Sequence, residues 1–332
     1  MTRNNSMDLL RIISCFTVIL LHINYYYFGN IYESISFDKI YLVESFINVI
    51  TRFSVPCFIM ISGAFILSNG KNSDFKSFYK KSFIKIFFPL LFLIFILSLF
   101  FLVDTGFSIR ILFDSFFHGY FYNTWFMAML LFLYILTPFI IIIKKNVSNK
   151  TFIGMAIFFL LWGFIFHISS SDNIPFSGNV VISFLGYYLI GNVLYEKFLE
   201  KKSSISLYML ISFLMVVITY LYRLFIKVDY RYSVGPYTNS FSPTIMLFSI
   251  STFCLFCNLK IKNNFFKLSN YTFYIYIFHT IIYQSIFRYF SLTHNQFINI
   301  FIVTVLTFIL SLLLSIGFKW FWGKYIVVKK CE

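Results

Sequence analysis

The sequence predicts an all-α, polytopic integral membrane protein, and three observations carry that prediction. Of its 332 residues, 59% are hydrophobic and 12% charged, with a mean hydropathy of +0.82. That leaves too little polar surface to cover a soluble globule of this size. Ten apolar runs, at 9–28, 46–68, 86–103, 125–143, 151–168, 180–195, 205–225, 243–258, 271–290 and 297–317, have the length of membrane-crossing helices. The lysines gather in the connections that follow every second run.

Taken in order, the first run carries Arg3 and Arg11 on its near side. It is too long for a signal peptide, and no small-residue cleavage site follows Tyr25, Tyr26 and Tyr27, so it is expected to stay as a helix. Glu33, Asp38 and Glu44 are expected in the outer connection to the second run, which ends at Lys71, Lys76, Lys80, Lys81 and Lys85. The third run leads to Asp104 and Asp114 outside, and the fourth returns to Lys144, Lys145 and Lys150. The fifth leads to Asp172 and the sixth to Lys197, Lys201 and Lys202. The seventh and eighth form a pair that ends at Lys260, Lys262 and Lys267, and the ninth and tenth a pair that ends at Lys319, Lys324, Lys329 and Lys330. These clusters hold 20 of the 27 Lys and Arg residues, which predicts about ten spans with both termini in the cytoplasm. Residues 1–332 read as a single transmembrane domain with no soluble module and no internal repeat.

Composition also excludes classes. The net charge of +15 belongs to topology signals and not to a nucleic-acid surface. Cys15, Cys57, Cys254 and Cys257 lie within apolar runs, so neither a disulfide framework nor a metal site is expected, and Cys254-x-x-Cys257 lacks a second ligand pair. The abundant Phe and Tyr serve lipid contact and the interfacial belts.

Chemistry must come from polar groups at membrane depth, where an ionisable side chain is costly unless it faces a cavity or a partner. In the first run Arg11 precedes His22 by eleven residues, three helical turns and about 20° more, so the two share a face about 16 Å apart. Asp8, three residues before Arg11, can neutralise or orient the guanidinium. Arg52, six residues inside the oppositely directed second run, falls at a depth similar to that of His22. Each has a plainer reading: Arg11 as a snorkelling anchor, His22 or His279 as a packing residue in an interhelical hydrogen bond, Ser62-Gly63 after Pro56 as a close-packing site. Arg52 resists such a reading, because an arginine on the outer side opposes the charge pattern. His118, His167 and His294 form no constellation.

Four blocks in order resemble acyltransferase family 3, the polytopic O-acyltransferases of bacterial surface glycans. They are Asp8, Arg11 and His22; "RFSVPCFIMISGAFIL" with Arg52, Val55, Pro56, Phe58, Ser62 and Gly63; "NTWFMAMLL" with Trp125 and Phe126; and "YTFYIYIFHTII" with Tyr276 and His279. Many members place a histidine just before the tryptophan of the third block, where this chain has Asn123 and Thr124. The resemblance implies a multi-pass enzyme of the bacterial plasma membrane. It would transfer an acyl group, usually acetyl from acetyl-CoA as cosubstrate, to a hydroxyl of a surface or lipid-linked glycan, with no resident cofactor or metal.

The residues fit that chemistry. A thioester is already activated, so the reaction needs a base for the acceptor hydroxyl and a positive group where the oxyanion develops. Neutral His22, with an ordinary pKa near 6.5, suits the first task, and Arg52 suits either the second or the holding of the acceptor; the sequence does not separate direct transfer from a covalent acyl-histidine. Arg11 suits the coenzyme A phosphates, and the pantetheine arm is expected to lie along the first helix, past Cys15 and Val18. Trp125, Ser62, Tyr276 and His279 are expected at the acceptor pocket. The rival reading is a transporter or flippase of glycan intermediates, whose Arg and His would line a path and do no chemistry.

Overall fold

The computed structural model describes residues 4–31, 39–89, 91–92, 95, 124–169, 178–200, 204–226, 239–289 and 296–325. Among these residues the chain is all helical, without a strand. The helices are α1 (Asn5–Ile31), α2 (Lys39–Thr51), α3 (Ser54–Leu67), α4 (Phe75–Ser82), α5 (Thr124–Asn146), α6 (Asn149–Ser169), α7 (Gly178–Glu200), α8 (Ile205–Ile226), α9 (Pro243–Asn258), α10 (Phe266–Ser269), α11 (Thr272–Tyr289) and α12 (Gln296–Tyr325). Six stretches are long and apolar enough to cross a membrane: Asn5–Tyr26, Tyr41–Leu67, Trp125–Asn146, Asn149–Phe166, Ile205–Phe225 and Phe297–Trp320. The chain is therefore a polytopic membrane protein. The expected sixth, eighth and ninth spans are also helical, as α7, α9 and α11, while the third, 86–103, lies largely outside the described residues.

Local chemistry sets the helix ends. The Asn4 side chain accepts from the backbone N–H groups of Ser6 and Met7 at 3.0 and 3.4 Å, capping α1. Ser242 caps α9 ahead of Pro243, whose missing N–H costs nothing in the first turn. Asp74 caps α4, a short surface helix that exposes Lys76, Lys80 and Lys81 and buries Phe78.

The second expected span is interrupted. α2 ends at Thr51, Arg52 and Phe53 form a turn, and α3 begins at Ser54. Pro56 explains the break, because it cannot donate to the carbonyl of residue 52 and its ring crowds that carbonyl in a continuous helix. The backbone N–H of Arg52 closes onto Val49 at 3.3 Å, and helical bonding resumes with Cys57 to Phe53 at 3.0 Å. The span also begins earlier than expected. Glu44 is not in an outer connection but inside α2, fully buried, because its carboxylate has a buried arginine as partner.

α1, α3, α7 and α11 form the interior, while α6, α8 and α12 present broad apolar faces outward, as lipid-facing helices do. α3 and α7 approach through glycine. A Cβ on Gly63 would overlap the Tyr188 carbonyl, and one on Gly191 would overlap the Met60 backbone, so only glycine permits this separation. α1 and α11 run parallel, since Cys15 meets Thr272, His22 meets His279 and Tyr26 meets Tyr283 in register. α3 runs opposite to α1, with Phe65 near Arg11 at one end and Arg52 near His22 at the other.

Candidate active site

Three helical elements converge where His22 lies. The His22 ring on α1 faces His279 on α11, centroid to centroid 5.4 Å at 31°. Nδ1 of His279 lies 2.5 Å from the Tyr276 carbonyl, which can only accept, so Nδ1 carries the proton. In the neutral ring Nε2 is then the acceptor, 3.4 Å from the Thr280 hydroxyl. His279 is fully buried and His22 partly so. Arg52, at the break between α2 and α3, is within electrostatic reach of His22. Its Nε donates to Oδ1 of Asn48 at 2.9 Å.

The opposite end of α1 holds Arg11, 3.8 Å from the Asp8 carboxylate, which also accepts from the Ser269 hydroxyl at 2.7 Å. The Arg11 guanidinium lies over the Phe65 ring, 5.9 Å from its centroid. Tyr134 of α5 is within charge reach of Arg11 and stands beside Ser62, whose hydroxyl donates to the Phe58 carbonyl at 2.9 Å.

A line of side chains joins the two ends. On α3, Phe65, Ser62 and Phe58 are spaced as one helical face. Phe58 meets Phe126 of α5 at 6.1 Å, Phe126 meets Tyr276 at 4.8 Å, and Tyr276 meets His279 at 5.1 Å. The direct face of α1 is closed: Cys15 and Val18 are each 1% exposed, and the Cys15 thiol donates to the Thr272 carbonyl of α11 at 3.6 Å. That face was expected to leave room for a pantetheine arm; here α11 packs on it at Cys15 and at His22, and Val18 between them is buried.

The structure thus brings His22, Arg52, His279 and Tyr276 together, and places Arg11 and Asp8 at the far end. Ser62 stands beside Tyr134, towards Arg11. Trp125 turns to Phe184 of α7 at 5.9 Å, and it is its neighbour Phe126 that faces Tyr276. Tyr134, Asn48, Glu44 and Arg223 escaped sequence reading. The single-residue signals were an acid and an arginine within apolar stretches, at 44 and 223, which read as flanking charges when each is taken alone. Among the described residues no three His, Cys, Asp or Glu side chains gather to hold a metal ion, and Cys15, Cys57, Cys254 and Cys257 are buried free thiols.

Similar chains include those named "Probable poly-beta-1,6-N-acetyl-D-glucosamine export protein" in Staphylococcus aureus strains MRSA252, MSSA476 and MW2. Each is 23% identical over 288 residues, covering 83% of this chain and 81% of the relative. No solved structure matches the chain. The family model described as "Acyltransferase domain" matches residues 4–318, nearly the whole chain with all four blocks inside it, and the protein therefore belongs to acyltransferase family 3.

Proposed function

We propose that this protein is a membrane O-acyltransferase that moves an acetyl group from cytoplasmic acetyl-CoA to a hydroxyl of a surface or lipid-linked glycan. The observation that carries the reading is the meeting of His22, His279 and Arg52 at one depth, with Arg11 at the other end of the same helix. His22 takes the proton of the acceptor hydroxyl as its oxygen attacks the thioester carbon. Arg52 stabilises the oxyanion that forms. The carbon–sulfur bond breaks as the intermediate collapses, and the protonated imidazole returns its proton to the departing thiolate of coenzyme A.

Arg11 holds the phosphates of coenzyme A at the cytoplasmic end. The arm passes between α1, α3 and α5, along Phe65, Ser62, Tyr134, Phe58 and Phe126, because Cys15 and Val18 are buried and α11 packs on Cys15. Ser62 and Tyr276 then line the donor's route, and His279 orients His22. Ten spans with both termini in the cytoplasm put Arg11 on the donor side and His22 towards the glycan. The relatives' name points to a β-1,6-linked N-acetylglucosamine polymer as an acceptor worth testing first.

The same name favours a second reading, passage of a glycan across the membrane without chemistry. Two measurements separate them. Purified protein should release free coenzyme A from acetyl-CoA when given β-1,6-linked N-acetylglucosamine oligosaccharides, and NMR of surface glycans should show O-acetyl signals that vanish when the protein is absent. Protein that moves the oligosaccharide across vesicles, yet releases no coenzyme A with any acyl-CoA, establishes transport instead.

A further inference from the structure

A guanidinium that must meet a developing oxyanion has to be aimed, and Arg52 sits in a helix break on a long, rotatable side chain. Its Nε donates to Oδ1 of Asn48, one turn earlier, at 2.9 Å. Nδ2 of Asn48 donates to Oε1 of Glu44, a further turn earlier, at 3.4 Å. Glu44 is 0% exposed and takes a two-pronged contact from Nη2 of Arg223, also 0% exposed, at 3.0 and 2.8 Å. Nε of Arg223 donates to the Ser45 hydroxyl at 3.0 Å, and Tyr41 donates to the Arg223 carbonyl at 3.0 Å, which fastens α8 to α2. Asn24, two residues beyond His22, donates through Nδ2 to the Glu44 carbonyl and carboxylate at 3.4 and 3.5 Å. The carboxylate therefore touches the helix that carries His22 and the relay that reaches Arg52.

The chemistry of each link fixes the next. Glu44, paired with arginine, can only accept, so the amide nitrogen of Asn48 must turn towards it. The amide oxygen of Asn48 is thereby left facing Arg52, whose guanidinium can only donate. An amide in place of a carboxylate at this last link holds Arg52 without neutralising it. Both arginines interact electrostatically with Glu44, and Arg223 takes up its charge at short range. A buried ion pair seldom stabilises more than apolar packing of equal volume, so its presence here calls for a role in specificity of arrangement.

We propose that the Glu44–Arg223 pair is a positioning device which, through Asn48, aims the Arg52 guanidinium at the reaction centre beside His22. It rests on the acyl-transfer reading of Arg52 and adds three positioning residues to it. Asn48→Leu keeps the volume and leaves the Glu44–Arg223 pair intact while cutting the link. In folded protein it should lower kcat for acetyl transfer by about 10- to 100-fold, the scale of losing much of one oxyanion donor, with KM for acetyl-CoA within about twofold of the parent. A purely structural role for Asn48 would lower the melting temperature and leave kcat per folded molecule alone.

The second readout does not need activity. In arginine-labelled protein, the Nε–H signal assigned to Arg52 by its loss in Arg52→Lys should exchange slowly in the parent and fast in Asn48→Leu. If Asn48→Leu fails to fold, Glu44→Met with Arg223→Met, which removes both buried charges and the acceptor for Asn48 together, should fold and show the same losses. Unchanged exchange overturns the proposal, as does lost protection with unchanged kcat. If the parent turns over no acyl-CoA, the acyl-transfer reading falls while the exchange measurement still decides whether the pair positions Arg52.

Discussion

His22→Ala removes the imidazole that faces His279 at 5.4 Å, and with it the base we propose for the acceptor hydroxyl. Transfer should fall by about 10²- to 10⁴-fold in protein that elutes and melts like the parent, the span typical of general-base catalysis. Parent-level turnover in folded His22→Ala would take the residue out of that role. Arg11→Ala should instead raise KM for acetyl-CoA far more than it lowers kcat, because Arg11 lies beside Asp8 and Phe65 at the end remote from the reacting carbon. Gly63→Ala tests packing alone. Its new methyl meets the Tyr188 carbonyl, part of a backbone that cannot turn aside, so a loss of about 1–3 kcal/mol is expected, read as a lower melting temperature in detergent.

At the scale of elements, the break between α2 and α3 decides where Arg52 stands. Without Pro56 the carbonyl of residue 52 regains a donor, and α2 and α3 can run on as one helix. Pro56→Ala should therefore leave the fold and acetyl-CoA binding intact while lowering kcat, because continuing the helix rotates Arg52 away from His22. The helix pair α3 and α5 carries a separate expectation. Ser62→Trp fills the line from Phe65 to Phe126 and should abolish acetyl-CoA binding, measured by titration, with glycan binding retained. Tight donor binding in folded Ser62→Trp would move the donor elsewhere.

For the whole molecule, the proposed reaction requires an orientation that joins a cytoplasmic donor to an outer acceptor. The lysine alternation requires Lys76 and Lys201 inside and Ser170 and Asn295 outside. Single cysteines at these four positions, in a chain cleared of its native thiols, should react with an impermeant reagent in intact cells only at 170 and 295. Protection at 170 would sink the ten-span arrangement. The parallel course of α1 and α11 and the opposite course of α3 agree with this parity, since the first and ninth spans then point the same way and the second the other.

Membrane class, helical architecture and the positions of most helices were legible in the sequence, because hydropathy, capping side chains and charge clusters are local properties of the chain. His22, Arg11 and Arg52 were legible for a related reason: an ionisable group in an apolar run is conspicuous before anything is folded. Long-range packing decided the rest. Glu44 and Arg223 stand 179 residues apart, and each alone resembles a flanking charge; only the meeting of α2 and α8 makes them a buried pair. The shared face of Arg11 and His22 follows from helical geometry. Which neighbour covers that face does not, and it is α11 that packs on it, at Cys15 and at His22.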